Sequence, residues 1–315
     1  MSLAVTSGWA ANALAPGFPG RHRSRFAVAG IAVDVWGDDP ESVDLGPQLL
    51  PFLSDSDRDE DIELQVEWSA TIVPDRGREV FHSGCLWSAH EFGDGFRFDF
   101  TTEHLGRRPY KRLLVDREFR HARVLLNREC LTAKDASRAL EYPLDELLIT
   151  HHLSLGRGVE LHGCGMVRNG GESFLFVGHS GAGKSTTARL WSENVPVEVL
   201  SDDRIIVRPA VSGARRSFQM HGTPWHGEAA FATPGRAPLQ RVFLLEHGPE
   251  NRIERLLSSA AVGELLARSF TPFYQPRFVD PVLALLEEMV AALPCYRFQF
   301  VPDQSAVERI LEFHD

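Results

Sequence analysis

Apolar and polar residues alternate with period two through much of the first part of the chain. The runs 62–69 and 96–100 show the pattern most clearly, with Ile, Leu, Val, Trp or Phe at every second position. Such alternation places one face on a core and the other in water, so it predicts half-buried strands and puts Arg97 and Asp99 on the solvent side. Further elements are predicted as strands at 26–35 and 112–116 and a short helix at 48–53.

The pattern changes after Tyr142-Pro143, where apolar residues recur at helical spacing up to Leu155. Continuous apolar strands, glycine turns and amphipathic helices then follow one another. The predicted strands are at 159–162, 173–177, 241–246 and 296–300, with a pair of strands around 197–208. The predicted helices follow residue 184 and cover 260–269, 280–293 and the C-terminal end, the last with Asp303 as N-cap.

These patterns predict a mixed α/β (α+β) protein in three parts. We expect a flexible tail over residues 1–25, a β-rich domain over residues 26–135, and a domain over residues 136–315 in which helices flank a mixed sheet. A length of 315 residues is consistent with two domains.

Composition and charge restrict the classes of partner. The chain has 33 basic and 43 acidic side chains, a formal net charge of −10 and a pI near 5.7, which argues against nucleic acid or an anionic membrane as partner. No apolar run is long enough to span a membrane. The four cysteines are far apart without a CxxC pair, and the first residues lack the basic segment of a secretory signal. We therefore expect free thiols and a cytoplasmic location.

The segment 178–186 reads Gly-His-Ser-Gly-Ala-Gly-Lys-Ser-Thr and fits the phosphate-binding pattern GxxxxGK[ST] in full. Glycines allow the backbone to turn its N–H groups toward phosphate oxygens, and the following helix adds its positive N-terminal end. Lysine then contacts the β- and γ-phosphates, and the serine hydroxyl binds Mg²⁺. The segment predicts ATP and Mg²⁺ as ligands, with these binding residues: Gly178, His179, Ser180, Gly181, Ala182, Gly183, Lys184, Ser185 and Thr186.

Two carboxylates and one histidine are candidates for the chemistry. Asp202 and Asp203 follow an apolar strand, where adjacent side chains point to opposite sides. This favours a division of roles, with one carboxylate near Mg²⁺ and the other accepting a proton from an attacking hydroxyl. His162 ends the strand before the phosphate-loop strand and is a further catalytic candidate.

The combination of His162-Gly163, the loop 178–185 and Asp202-Asp203 resembles the HPr kinase/phosphorylase family and, more distantly, the ATP-dependent phosphoenolpyruvate carboxykinases. The segments 221–228, 237–239 and 242–246 are similar to HPr-kinase-related proteins that include the lasso-peptide kinases. The resemblance covers residues 26–313, with its specific part at 159–246. Thr186 replaces the glutamate that follows GKS in bacterial HPr kinases, and the glycine-rich C-terminal signature of that family has no counterpart here. These departures argue against HPr as the acceptor and against phosphorylase activity.

The resemblance implies a carboxykinase-type P-loop fold and transfer of the γ-phosphoryl group of ATP to a serine of a protein or peptide. It implies Asp202 as the base, Asp203 and Ser185 as the magnesium ligands, and Lys184 on the phosphates with His162 nearby. Three further candidates for the substrate or phosphate side are Thr223, His226 and Arg236.

Two other functions remain open at this point. A small-molecule kinase is one, because adenylylsulfate kinases have a nearly identical loop, although 177 residues precede it here. A nucleotide-gated binding module that barely hydrolyses ATP is the other, and the intact Lys184, Ser185 and aspartate pair argue against it. The sequence also leaves a homo-oligomer open.

Overall fold

The structure is a computed structural model, and it describes residues 21–314 except 57–58, 75–76, 85, 106–107, 133–134, 136–138, 170 and 213–214. It is a mixed α/β protein with two mixed sheets and, among the described residues, five α-helices. The chain divides into two compact units, Met1–His152 and Leu153–Asp315. The greater part of the predicted tail, residues 1–20, lies outside the described residues.

The first unit contains a sheet of eight strands in the order β1-β2-β3-β8-β7-β6-β5-β4. Neighbours are antiparallel except at β2–β3 and β3–β8, which are parallel. Short 3-10 helices lie at Glu41–Val43, Leu50–Phe52 and Glu103–Leu105, and the helix α1 covers Leu144–Leu153. The strands are β1 His22–Val28, β2 Ile31–Gly37, β3 Ile62–Ser69, β4 Glu79–His82, β5 Trp87–Phe92, β6 Gly95–Phe100, β7 Lys111–Val115 and β8 His121–Asn127.

The run 26–35, predicted as one strand, is a hairpin. Ala29 and Gly30 have φ angles of 54° and 75°, so the chain reverses there and Val28 pairs with Ile31. Two consecutive residues with positive φ form the tight turn that matches the twist of antiparallel strands. The predicted tail also ends earlier than residue 25, because β1 begins at His22 and pairs along its length with β2.

The prediction that Arg97 and Asp99 face water was wrong, since both side chains of β6 are buried. Arg97 Nε lies 3.1 Å from Asp99 Oδ2, and the guanidinium of Arg112 on β7 bonds to the same carboxylate. The ion pairs compensate the loss of water around these charges. Alternation identified the strand here, but it misassigned the environment of the second face.

The second unit contains a sheet of nine strands in the order β14-β13-β12-β9-β10-β15-β17-β16, with β11 also paired to β9. The helices are α2 Lys184–Asn194, α3 Ser258–Leu266, α4 Pro276–Ala292 and α5 Gln304–Leu311, and Asp303 caps α5 by accepting from Ser305 N. The strands are β9 Val159–Arg168, β10 Ser173–Val177, β11 Val197–Ser201, β12 Arg204–Ser212, β13 Arg215–His221, β14 Arg236–Pro238, β15 Arg241–His247, β16 Arg252–Arg255 and β17 Cys295–Phe300.

The central strand β10 is buried on both faces, as its continuous apolar sequence predicts. Leu175 and Val177 belong to a core that also contains residues of α3 and α4, whereas Phe174 and Phe176 belong to a second core with residues of α2 and α5. The helices therefore cover both faces of the sheet. Because β10, β15 and β17 are parallel, their carboxyl ends lie at one edge, and the phosphate loop begins there.

Within the described ranges, no helix is long and apolar enough to cross a membrane. Cys130, Cys164 and Cys295 are free thiols, as expected, and Cys85 lies outside the described residues.

Candidate functional site

The segment 178–183 forms a tight loop between β10 and α2. Gly181 and Gly183 have φ angles of 79° and 97°, which L side chains rarely adopt. A Cβ atom on Gly178 would lie only 2.6 Å from the Ala182 Cβ. The loop closes on itself so compactly that glycine is required at these positions, and Lys184 begins α2 directly behind it.

Lys184 is buried, and its ammonium bonds the loop itself. Nζ donates to the carbonyl oxygens of Gly178 at 3.1 Å and His179 at 3.0 Å. Burial, and then the positive charge of Arg204, lower the pKa of Lys184 to about 8. A cation held this way can exchange loop carbonyls for phosphate oxygens, which would better compensate its charge.

Strand register brings the predicted catalytic residues to the start of the loop. Gly178 N donates to His162 O at 3.1 Å, and Gly163 N donates to Asp203 O at 3.0 Å. Both β11 and β12 pair antiparallel with β9, and the chain bends between them at Asp202 and Asp203. The bend interrupts what would otherwise be one long strand, and it turns the two carboxylates toward different partners.

Asp202 is fully buried and accepts four hydrogen bonds. Its carboxylate accepts from Ser185 Oγ at 2.8 Å and from three backbone N–H groups of one loop. Those donors are Gly227 and Ala229 at 3.0 Å and Phe231 at 3.2 Å. The segment 221–228, noted in the sequence for its resemblance, therefore leads into a loop that is tied to the Ser185–Asp202 pair. A Cβ on Gly227 would lie 2.7 Å from Asp202 Oδ2, so this contact requires glycine.

Asp203 faces the other way, toward a histidine and an arginine. His162 Nε2 lies 2.9 Å from Asp203 Oδ1, and Arg204 bonds to the second carboxylate oxygen. Burial, followed by the charges of Lys184 and Arg204, lowers the pKa of His162 to about 4. His162 is therefore neutral at pH 7, and its Nε2–H donates to Asp203 in a hydrogen bond rather than an ion pair.

Sequence reasoning missed Arg204, which follows the aspartate pair directly. Its guanidinium lies over the Phe270 ring at 4.2 Å, and its Nε is 3.8 Å from the buried Glu160. The charge of Arg204 is felt by both Lys184 and His162, so a second cation stands beside the lysine. Its position next to Asp202-Asp203 was the available signal, but a lone arginine after a strand carries no specific pattern.

The remaining candidates occupy different environments. Thr223 is buried and its hydroxyl donates to Arg204 O at 2.8 Å, which fixes the backbone beside the aspartates. His226 and Arg236 are exposed. Within the phosphate loop His179 and Ser180 are exposed, and Thr186 is half-buried in the first turn of α2.

Ser185 and Asp202 provide the oxygen atoms that are candidate ligands for Mg²⁺. Among the described residues, no group of three or more His, Cys, Asp and Glu side chains could hold a metal ion. Magnesium in phosphate-loop proteins needs no such group, because one hydroxyl, one carboxylate and phosphate oxygens suffice. Ser185 Oγ and Asp202 Oδ2 are hard oxygen donors 2.8 Å apart beside the loop, so these residues fit the ion.

No protein-family model matches the chain, and no curated protein matches it. The loop motif and the contacts around Lys184, Asp202 and Asp203 are the features of the chain that bear on its function.

The binding of ATP is expected to weaken as pH rises above about 8. In the free protein the pKa of Lys184 is about 8, and phosphates held in the loop would raise it, so ATP would bind best to the protonated lysine. Raising the pH from 7 to 9 should increase the ATP dissociation constant about tenfold, measured by isothermal titration. The Lys184→Arg variant, which stays charged, should show a flat profile. A flat profile for the unmodified chain would contradict the role of Lys184.

Proposed function

We propose that the chain is a Mg²⁺- and ATP-dependent kinase that transfers the γ-phosphoryl group to a serine or other hydroxyl of a protein or peptide. We further propose that the second unit has the carboxykinase-type P-loop fold. One observation carries the proposal: the loop 178–186 meets two carboxylates with separate surroundings, one bonded to Ser185 and one bonded to His162. A nucleotide-binding loop alone would not need the second carboxylate.

The roles of the two aspartates are exchanged in this proposal relative to the sequence hypothesis. Asp202 bonds to the loop serine, so Ser185 and Asp202 would hold Mg²⁺. Bound there, Mg²⁺ would neutralise charge on the β- and γ-phosphates. Among the described residues, His162 and Arg204 contact the carboxylate of Asp203, and 22% of its side chain is accessible. That carboxylate can be reached by an acceptor hydroxyl, whereas the fully buried Asp202 cannot.

In the proposed step the γ-phosphoryl group passes from ATP to the acceptor hydroxyl, and the residues of the site take up the proton and hold the phosphates. The acceptor hydroxyl oxygen forms a bond to the γ-phosphorus while the bond from that phosphorus to the β–γ bridging oxygen breaks, and ADP leaves. Asp203 takes the hydroxyl proton. Neutral His162 holds the carboxylate through its Nε2–H without competing for that proton. Lys184 and the loop N–H groups hold the phosphates in place.

A label-transfer experiment tests this function. The purified chain is incubated with γ-labelled ATP, Mg²⁺ and a lysate of its source, and macromolecules are then separated from small molecules. We expect label in a protein or peptide, and none with the Lys184→Ala variant. Label only in a small compound would instead support the small-molecule kinase, and ATP binding without transfer would support the nucleotide-gated module.

A further inference from the structure

The carboxyl ends of β15 and β17 form a wall beside the phosphate loop, on the side away from the aspartates. The strand β15 is parallel to β10 on one flank and to β17 on the other, whereas β9, with the aspartate pair beyond it, borders the opposite side of β10. Ligands of open parallel sheets bind at the carboxyl ends of the strands. The catalytic candidates occupy one side of the loop, so a ligand anchored in the loop can extend toward the other.

His247, the last residue of β15, is the prominent side chain of this wall. Its ring stacks on Phe300 with centroids 5.2 Å apart and an interplanar angle of 28°. Its Nε2 lies 3.0 Å from Gly181 O of the phosphate loop. Phe300 is buried and covers one face of the imidazole, whereas His247 as a residue is exposed and can be reached by a ligand.

The contact between this wall and the loop is close and preformed. A Cβ on Gly183 would lie 2.5 Å from Phe300 Cζ and 3.3 Å from His247 Cε1, so the loop backbone packs directly on both rings. The segments after the two strands are joined, because Gly248 N donates to Phe300 O at 3.2 Å and Asn251 accepts from Val301 N at 2.8 Å. An aromatic face held rigidly next to a phosphate site is suited to stacking, because little side-chain freedom is lost on binding.

We propose that His247 is the stacking face of a nucleobase subsite, which receives the purine ring of the nucleoside triphosphate bound by the loop. This inference rests on the proposed function, because it takes the phosphates to lie in the loop 178–186. Purine rings stack on aromatic side chains through their π-faces. If the hydrogen bond to Gly181 only supported the loop, His247 would be a structural residue of the phosphate site and not a base-binding one. The two roles predict different binding data.

The experiment compares ATP with inorganic tripolyphosphate, which offers the phosphates without a base. Binding of each to the full chain with Mg²⁺ is measured by isothermal titration. The His247→Ala variant should raise the dissociation constant of ATP about tenfold and leave that of tripolyphosphate within about twofold. The His247→Phe variant keeps a stacking ring and should bind ATP within about threefold of the unmodified chain. A matched control is His314→Ala, which removes an exposed histidine of the same unit.

The outcomes separate this inference from the proposed function. An equal loss for ATP and tripolyphosphate in His247→Ala would mean that the histidine acts through the loop, and it would overturn the subsite. Unchanged ATP affinity in that variant would overturn it too. If the unmodified chain bound neither ligand, the proposed function would fail, and the subsite with it. If ATP alone were weakened, the subsite would be supported, together with the nucleotide binding on which the proposed function depends.

Discussion

The Asp203→Asn variant is expected to lower kcat by about 10² to 10⁴ while leaving the ATP dissociation constant nearly unchanged. The substitution keeps the shape of the side chain, and its amide oxygen can still accept from His162 Nε2–H. It removes the carboxylate that we propose as the base, which is the partly exposed one of the pair. The measurement is single-turnover label transfer together with ATP titration, because the two readouts separate chemistry from binding.

The comparison with Asp202 decides between the two assignments of the base. If Asp203→Asn kept its kcat while Asp202→Asn lost it without losing Mg²⁺ dependence, the assignment implied by the family resemblance would be right. The Asp280→Asn variant is the matched control, since it removes one exposed carboxylate of α4 in the same unit and should leave kcat unaltered.

The sequence was informative wherever a local pattern determines local structure. The strand 173–177 has the same bounds in the structure as in the prediction, because a short apolar run followed by glycine ends abruptly. The alternating run 62–69 likewise forms β3. The tight loop 178–183 follows from its glycines, whose positive φ angles at Gly181 and Gly183 exclude most other residues.

The environment of the site could not be predicted, because it depends on contacts distant in sequence. Asp202 is held by backbone N–H groups of residues 227, 229 and 231, and a backbone donor leaves no signature in side-chain types. The sequence predicts strands on both sides of the aspartate pair, but the pairing of both β11 and β12 with β9 depends on the fold. The buried Arg97 shows the same limit in the first unit. A charged residue at every second position of a strand predicts a solvent-exposed face, and the ion pair that allows Arg97 to be buried forms only in the folded chain.

The Asp202→Asn variant is expected to loosen the loop 227–231 and to raise the Mg²⁺ concentration needed for ATP binding. The carboxylate accepts from four donors, but an amide nitrogen cannot accept, so at least one buried N–H or the Ser185 hydroxyl would lose its acceptor. A charge-assisted hydrogen bond of this kind contributes about 1.5–3 kcal/mol, and an orphaned buried donor costs a similar amount. Hydrogen exchange at the amides of Gly227, Ala229 and Phe231 should therefore accelerate at least about tenfold.

Ser185→Ala provides the control that separates anchoring from metal binding. It removes one of the four donors to Asp202 but leaves the three backbone donors in place. Amide exchange in the loop should therefore stay near that of the unmodified chain, while the Mg²⁺ requirement still rises because one proposed metal ligand is gone. Exchange that is equally fast in both variants would show that the loop depends on the hydroxyl rather than on the buried carboxylate. Unchanged Mg²⁺ titration in both variants would exclude the Ser185–Asp202 pair from the metal site. Asp203, which follows Asp202 in the sequence, would then be the candidate carboxylate for Mg²⁺.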